Sequence, residues 1–442
     1  MVIEEEEEVN RILERARLGK EVDLEAWETG MRVAVLAAGA RALGGLLAGI
    51  GSGRRGEKVI CECGEKMESQ GVREKQLSTI LGTVSYSRTM FQCEVCHKTR
   101  YPGDEKLDIV GTGRSPGLRR MMGRAGSKST FKEGRDDLKV YAGVEVSAKD
   151  VERVAERIGE AMEEWCGRER AGILRREMPV AVEKTMGVFY VSYDGTGVPM
   201  VKEEVKDRKG KQADGTALTR EAKLGCVFRQ TTTDAEGFPI RDPDTTSFVG
   251  AIETAEEFGW RIYAEAVRRG LWHAERVVVL GDGAEWIKNL AQTHFHGATQ
   301  IVDLYHARQH VSELCKVLFT SDEKQIVRHR IRWWTTLDAG NVEKIVGEAQ
   351  RKLPQEAGAR KRATVEITYL EKNMERMRYA DFRAQGFFVG SGVVEAGCKT
   401  VIGQRLKQSG MEWSVRGANA IISLRCMMKS GRLEDYWDSR TA

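Results

Sequence analysis

Three carboxylates stand in settings where an acid is unusual. Asp194 follows the apolar run at 188–193 and precedes Gly195-Thr196-Gly197. Asp282 follows Val277-Val278-Val279-Leu280 and sits between Gly281 and Gly283, while Glu395 follows Gly390-Ser391-Gly392-Val393-Val394. An acid at the end of a buried strand is costly to desolvate unless it meets a cation or hydrogen-bond donors. Three such acids would suit two Mg²⁺ or Mn²⁺ ions, which prefer oxygen ligands and assist in-line attack on a phosphodiester. Singly, each acid has a plainer explanation: helix caps account for Asp194 and Asp282, and Glu395 fits a surface position. Glu412 competes with Glu395 for the third place. The glycine-rich approach favours Glu395, because it lets backbone and substrate come close.

The elements that must position these acids read as α/β. Residues 277–280 have the β-branched, fully apolar character of a strand buried on both faces. The run at 187–194 is a strand ending in Asp-Gly, with Val188, Tyr190, Ser192 and Asp194 on one face by period-two counting. A further strand is expected over 223–231, with the charged stretch 203–220 as a solvated hairpin loop between the two. Helices are expected over about 251–270 and 285–293, then a strand over 298–303 that leads into Asp303-Leu304-Tyr305-His306. Residues 307–378 read as helical and basic, with Arg328, Arg330, Arg332, Trp333 and Trp334 close together. A helix begins near Ser391 and projects Glu395 from its first turns.

Upstream, Cys61-Glu62-Cys63 and Cys93-Glu94-Val95-Cys96 form paired knuckles that let four thiolates converge on one tetrahedral Zn²⁺. The alternation around Val84, Tyr86 and Arg88 suits a hairpin bridging them. His97 reads as a surface neighbour, and the alternative is four buried reduced thiols. From 115 to 178 the pattern is helical and basic. A helix over 131–141, a turn at Gly143 and the capping box Ser147-Ala148-Lys149-Asp150 outline a helix-turn-helix, an outline shared by many pairs that bind nothing.

The remaining composition narrows the class. The chain has 442 residues, net charge +4 and nine cysteines. Bulk charge barely favours nucleic acid, so any basic surface must come from local clustering. The odd cysteine count argues for a reducing cytoplasm rather than a disulfide framework. The apolar stretch 33–50, broken by Arg41 and several glycines, reads as a poor membrane span without a signal-peptide layout. An acidic run at 4–8 leads into a helical pattern through Ile12, Leu13, Ala16 and Leu18, and 51–56 reads as a linker.

Taken together, Tyr193-Asp194-Gly195-Thr196-Gly197, Gly281-Asp282-Gly283-Ala284, Asp303-Leu304-Tyr305-His306 and Gly390-Ser391-Gly392-Val393-Val394-Glu395 resemble, in that order, the motifs of bacterial insertion-sequence DDE transposases of the Kra type, related to the mutator-like transposases. The tail from Arg405 to Ser414, with Gly417-Ala418 and Leu424-Arg425, is similar to their C-terminal signature, and the zinc ribbon belongs to the same pattern. The resemblance implies an RNase H-like core with a helical insertion between the second Asp and the Glu. Its division would be 1–56 N-terminal helical region, 57–105 zinc ribbon, 106–180 helix-turn-helix-like region, and 181–442 catalytic domain with the insertion at about 307–380. Asp194, Asp282 and Glu395 would be the catalytic, metal-binding triad, with Asp303 and His306 accessory. His306 reads equally as a helix-start residue bonded to Asp303; a zinc pair with His310 is the weaker alternative.

The implied activity is metal-dependent cleavage at transposon ends and strand transfer into target DNA. Mg²⁺ or Mn²⁺ would serve catalysis and Zn²⁺ the ribbon. The partners would be double-stranded DNA, both terminal inverted repeats and target, and a second copy of the chain; no membrane is implied. The location would be the bacterial cytoplasm, at the nucleoid. Lys399, Arg405, Lys407, Arg416 and Arg332 would neutralise phosphates, and Trp413 could stack on bases; a solvated face explains any one of these cations. Trp333 and Trp334 fit the core of the insertion better. Two other readings compete: a zinc-ribbon and helix-turn-helix DNA-binding regulator without catalysis, and a glycosidase with paired acids.

Overall fold

The computed structural model describes residues 23–50, 59–177, 186–210, 215–320 and 322–440, together with Arg11, Glu14 and Gln212. The acidic run at 4–8, the pattern around 12–18 and the linker at 51–56 lie outside the described residues. The chain divides into two compact units, 1–155 and 156–442.

In the first unit, helix α1 (Leu24–Ile50) precedes a long hairpin, β1 (Met67–Thr79) and β2 (Gly82–Cys93), to which the short β3 (Thr99–Arg100) adds a third antiparallel strand. The hairpin buries Leu77, Val84 and Tyr86 with Leu47 of α1 and Ile109. Helix α2 (Pro102–Lys106) brings Asp104, which is nearly inaccessible, to Lys75 at 2.8 Å and to Arg88. Helices α3 (Pro116–Lys128), α4 (Phe131–Ala142) and α5 (Ala148–Leu174) follow. Thr130 and Glu133 close a capping box at the start of α4, and Gly143 ends that helix in the left-handed conformation its φ of 67° requires. The Asp150 N–H donates to Ser147 Oγ at 3.0 Å, the cap expected for α5. Gly126 lets α3 approach α5, since a methyl group there would stand 2.9 Å from Ala155 Cβ.

Helix α1 departs from expectation. It is long and apolar enough to cross a membrane, with mean hydropathy 1.8 in its most apolar window and 6% of that window buried. Arg32 and Arg41 interrupt it without lowering its length or mean hydropathy below those of a span.

The second unit is built on a five-stranded sheet in the order β6-β5-β4-β7-β8. Strands β4 (Met186–Pro199), β5 (Thr219–Thr233) and β6 (Pro239–Ala251) form an antiparallel meander. β7 (Ala274–Gly281) then joins β4 in parallel and β8 (Thr299–Val302) joins β7 in parallel. Helix α6 (Ala255–Arg268) connects β6 to β7, and α7 (Glu285–His294) connects β7 to β8. The period-two reading of β4 holds. Val188 and Tyr190 join Cys226, Phe228, Val278 and Leu280 on one face, while Phe189, Val191 and Tyr193 pack on the other against Phe258 and Ile262 of α6 and Ile287 of α7. β4 does not stop at Asp194, however; it stays paired with β5 to Pro199, opposite Thr219. β6 had no counterpart among the expected strands, because its Pro, Arg and Asp residues carry no apolar alternation.

Beyond β8 the chain is helical: α8 (Leu304–Leu318), α9 (Glu323–Asp338), α10 (Val342–Gln350), α11 (Ala357–Asn373), a 3₁₀ turn Met374–Met377, and α12 (Tyr379–Ala384). Their buried residues, among them Val311, Trp333, Ile345, Leu370 and Tyr379, form one core with the Val188 and Tyr190 face of the sheet. A helical segment then runs from α13 (Gly392–Gly397) through a π turn, Cys398–Gly403, to α14 (Gln404–Leu406). Helices α15 (Val415–Lys429) and α16 (Leu433–Asp438) end the described chain. The second half of α5 packs on α15 at Gly159, where a methyl group would stand 2.9 Å from Ala420 Cα and closer still to its carbonyl. Gly159→Ala must therefore push two helices apart and is expected to cost about 1–3 kcal/mol. A urea unfolding curve with an unchanged midpoint in that variant would contradict this packing.

Candidate functional site

Strand register sets the first two acids side by side. Ser192 lies opposite Leu280 in the parallel β4–β7 pair, and continuing that register by two residues brings Asp194 alongside Asp282. Asp194 Oδ1 accepts from the Gly195 N–H at 2.7 Å, and Asp282 Oδ1 accepts from the Ala284 N–H at 2.9 Å. Asp282 thus organises the turn into α7, as a plain reading of an Asp at this position would have it. Burial raises the Asp194 carboxyl above the usual range against the bond from Gly195, and the charge of Asp282 adds to the rise. The helical segment carrying Glu395 reaches the same place, since the Cys398 side chain hydrogen-bonds Asp194 and its thiol is pushed up, chiefly by burial.

Asp303 fastens that segment. It is fully buried, caps α8 by accepting from the His306 N–H at 2.7 Å, and with its other oxygen accepts from Ser391 N at 2.5 Å and Ser391 Oγ at 3.0 Å. Ser391 Oγ also lies 2.9 Å from Glu395 Oε1. Backbone bonds support the joint: Asp303 N–H to Gly281 O at 2.8 Å and Leu304 N–H to Val389 O at 2.9 Å. Burial alone would raise the Asp303 carboxyl, but the bonds from His306 and Ser391 outweigh it and hold it below the usual range. His306 Nδ1 is 3.5 Å from Asp303 Oδ1. That contact raises the imidazole above its ordinary value against burial, and the charges of Asp303, Asp282 and Glu395 assist.

Asp303, His306 and Glu395 each bring a donor atom within 4.8 Å of one another and could hold a metal ion. Asp194 and Asp282 stand outside that group, so the closest donor set is not the three acids chosen from sequence. His306 starts α8 bonded to Asp303, as its plain reading has it, and the charges of Asp282 and Glu395 act on its ring. His310 takes a different partner, with Nδ1 at 2.6 Å from Glu366 and its ring stacked on Tyr369, so it does not pair with His306. Glu412 is exposed.

In the first unit, Cys61, Cys63, Cys93 and Cys96 form a second donor set, with Sγ separations of 3.3 Å for Cys61–Cys96 and 3.6 Å for Cys63–Cys93. The Cys96 and Val95 N–H groups point at Cys93 and push its thiol down to about 7. Four thiols at this spacing fit a tetrahedral Zn²⁺. His97 is exposed and lies outside the cluster.

The cations and aromatics chosen for DNA divide. Lys399 and Lys407 are exposed, and Lys407 bonds Thr196 next to Asp194. Arg416 is exposed but paired with Glu160, and Arg332 is paired with Glu348. Arg405 is fully buried with its guanidinium 5.0 Å from the Trp413 ring, and Trp413, 6% exposed, donates to Leu406 O at 3.0 Å. These two hold the C-terminal helices together and are not phosphate or base contacts; an Arg and a Trp in a tail motif look the same from sequence in either role. Trp333 is buried and bonds Glu348, in keeping with a core position. Two residues near Asp282 escaped the sequence reading, Tyr369 and Arg376, because an isolated Tyr and Arg in a basic helical region carry no motif.

Comparison with known proteins adds a family resemblance. The family described as "Uncharacterised protein family (UPF0236)" matches residues 253–438. The chain is 21% identical over 377 residues to the UPF0236 protein in the vanSb 3′ region of Streptococcus gallolyticus, covering 84% of this chain and 76% of that one. It is 23% identical over 388 residues to a UPF0236 protein of Caldanaerobacter subterraneus subsp. tengcongensis, covering 86% and 71%. The name of the latter strings together eleven locus designations, from TTE0033 to TTE2212. Among solved structures, the Drosophila P element transposase strand transfer complex aligns with 77% of this chain and 85% of that one, at 9% identity and a TM-score of 0.24, too low to carry an argument.

Two expectations follow from this geometry. Asp303 ionised and His306 protonated stabilise each other. The first contribution is present above about 3.9 and lost as pH falls through the depressed carboxyl value. The second is present below about 6.5 and lost as pH rises through the elevated imidazole value. Asp303→Asn should therefore destabilise by about 1–3 kcal/mol, with the largest deficit between about pH 4 and 6.5; a deficit independent of pH in chemical denaturation would refute the pairing. Cys63→Ser should lower the bound zinc measured by atomic emission, and a full zinc complement in that variant would remove Cys63 from the ligand set.

Proposed function

We propose that this chain is a DNA transposase that cuts phosphodiester bonds at the ends of a mobile element and joins them to target DNA. The observation that carries the reading is the convergence of acids at one end of the sheet: Asp194 and Asp282 on adjacent parallel strands, with the Glu395 helix tied to Asp194 through Cys398 and to Asp303 through Ser391. The strand order, an antiparallel meander extended by two parallel strands and followed by a helical run before Glu395, supports an RNase H-like core with an insertion. The eleven locus names of one relative support it independently, because a protein encoded many times over in one genome is what a self-propagating DNA element produces.

Asp194, Asp282 and Glu395 would hold divalent cations, with Asp303 and His306 behind them. The donors are of the right kind, since Asp194, Asp282 and Glu395 all offer hard carboxylate oxygens, and burial, with the charge of Asp282 adding to it, raises the Asp194 carboxyl. Bound Mg²⁺ or Mn²⁺ supplies activation of the attacking oxygen and charge stabilisation of the leaving one. In the first reaction a water oxygen attacks phosphorus, and the 3′ oxygen departs to become a hydroxyl. In the second, that 3′-hydroxyl attacks a phosphodiester of the target strand, forming a new phosphodiester while the target's own 3′ oxygen leaves and becomes a hydroxyl. Ser391 and Asp303 keep Glu395 oriented through both. Lys399 and Lys407, exposed on the helical segment beside the acids, meet the backbone of the strand being cut.

The remaining assignments are parts of the same proposal. The Cys61, Cys63, Cys93 and Cys96 cluster holds structural zinc within a ribbon spanning 57–105. The helices over 106–180 dock duplex DNA, residues 181–442 form the catalytic domain, and two copies bridge the two ends of the element in the bacterial cytoplasm. The test uses purified protein on duplexes carrying the terminal sequences that flank its gene. Nicking and joining with Mg²⁺ or Mn²⁺ are expected, and Asp282→Asn should abolish both, by at least a thousandfold, while still binding the duplex. Cleavage undiminished in that variant would reject the acid set, and binding without any cleavage by the unaltered protein would make it a DNA-binding regulator.

A further inference from the structure

The wall of the acid cluster formed by α11 and the 3₁₀ turn after it carries groups that the carboxylates do not explain. The Tyr369 ring lies so close to Gly283 that a methyl group built there would stand 2.5 Å from the phenol oxygen, and the Gly283 N–H donates to that oxygen at 3.3 Å. Gly283 directly follows Asp282, so the phenol is fixed at the shoulder of the second acid. Its ring is held by His310, stacked with centroids 3.5 Å apart and itself anchored to Glu366. One turn further along, Asn373, 2% exposed, donates to Tyr369 O at 2.9 Å and accepts from the Arg376 guanidinium.

Arg376 is therefore aimed by a neutral amide. Among the described residues it forms no ion pair, and its side-chain hydrogen bond is to Asn373. Its charged and polar surroundings are Tyr369, Tyr193, Asp282 and Tyr379, and burial lowers its guanidinium below the ordinary value. Three other arginines of the same unit meet carboxylates, Arg261 with Glu253 and Glu163, Arg268 with Glu265, and Arg432 with Glu169, while buried Arg425 donates to the carbonyls of Val401 and Thr400. A partly desolvated cation with no ion-pair partner, only the charge of Asp282 acting on it, is costly, and its fork of donors matches the oxygens of a phosphate. The phenol has accepted from Gly283 and keeps its own proton to donate. The proposed DNA chemistry supplies such an anion at this place.

We propose that Arg376 and the Tyr369 hydroxyl form a seat for a DNA backbone phosphate beside Asp282, so that the helical insertion grips the strand the acids cut. The seat rests on the transposase reading, but its test reads binding separately from cleavage. The full-length protein would be titrated with its own terminal-repeat duplex in EDTA over a salt series. Arg376→Gln should weaken binding about tenfold and reduce the slope of log affinity against log salt by about one ion. Arg376→Lys should keep the slope and recover part of the affinity, whereas Tyr369→Phe, which keeps the stacked ring, should lose about threefold with no change of slope. If Arg376→Gln binds with an unaltered slope while its unfolding midpoint matches the unaltered protein, the seat is refuted. It is refuted equally if inorganic phosphate alone competes for Arg376 while the DNA slope stays the same, which would make it a free-anion site. Failure of the unaltered protein to cut DNA, with the slope change present, would overturn the catalytic proposal and leave the phosphate seat standing.

Discussion

The buried carboxylate of Asp303 is the interaction on which the site geometry depends. It receives the first free amide of α8 on one oxygen and both donors of Ser391 on the other. A charge with no solvent access costs several kcal/mol unless its lone pairs are met, and here they are met by two elements that sequence separates widely. The outcome is a fixed distance between the end of β8 and the start of the helix bearing Glu395. Had Asp303 been an ordinary exposed cap, the Gly390-Ser391-Gly392 approach would have little to hold it, because glycine-rich backbone has most conformational freedom to lose.

The titratable groups around that joint are shifted in opposite directions. Asp194 is raised by burial and by Asp282, His306 is raised by Asp303, and Asp303 is lowered by its donors. Shifts of opposite sign among neighbouring acids and an imidazole are what divergent roles at one site require. Asp194 on β4 and Asp282 just past β7 each accept one backbone N–H, whereas Asp303 accepts three bonds, from His306 and Ser391.

The arginines of the second unit find their partners in different ways. Arg261, Arg268 and Arg432 each meet a carboxylate, and together they join α5, α6 and the C-terminal helices. Arg405 and Trp413 serve the same end through a cation–π contact and a bonded indole. Arg376 has neither arrangement: it is bonded to the amide of Asn373, and the charge of Asp282 acts on it.

Local patterns were enough to place four of the five strands of the sheet. The run of β-branched residues before Asp282, the period-two faces of β4, the cap at Ser147 and the knuckles of the four cysteines are each written in neighbouring residues, because strand burial, capping and chelation act over a few positions. The sequence alone could also order the motifs and name the chemistry they resemble. It could not tell that β4 continues beyond Asp194, since the pairing that extends it lies on β5, nor that β6 is a strand, since its partner and not its composition makes it one. Nor could it assign Arg405 and Trp413 to the core, or show that Tyr369 and Arg376 come to Asp282 from the insertion. Those outcomes rest on contacts between residues far apart in the chain, and a side chain's role as core, counter-charge or ligand is decided by what the fold brings against it.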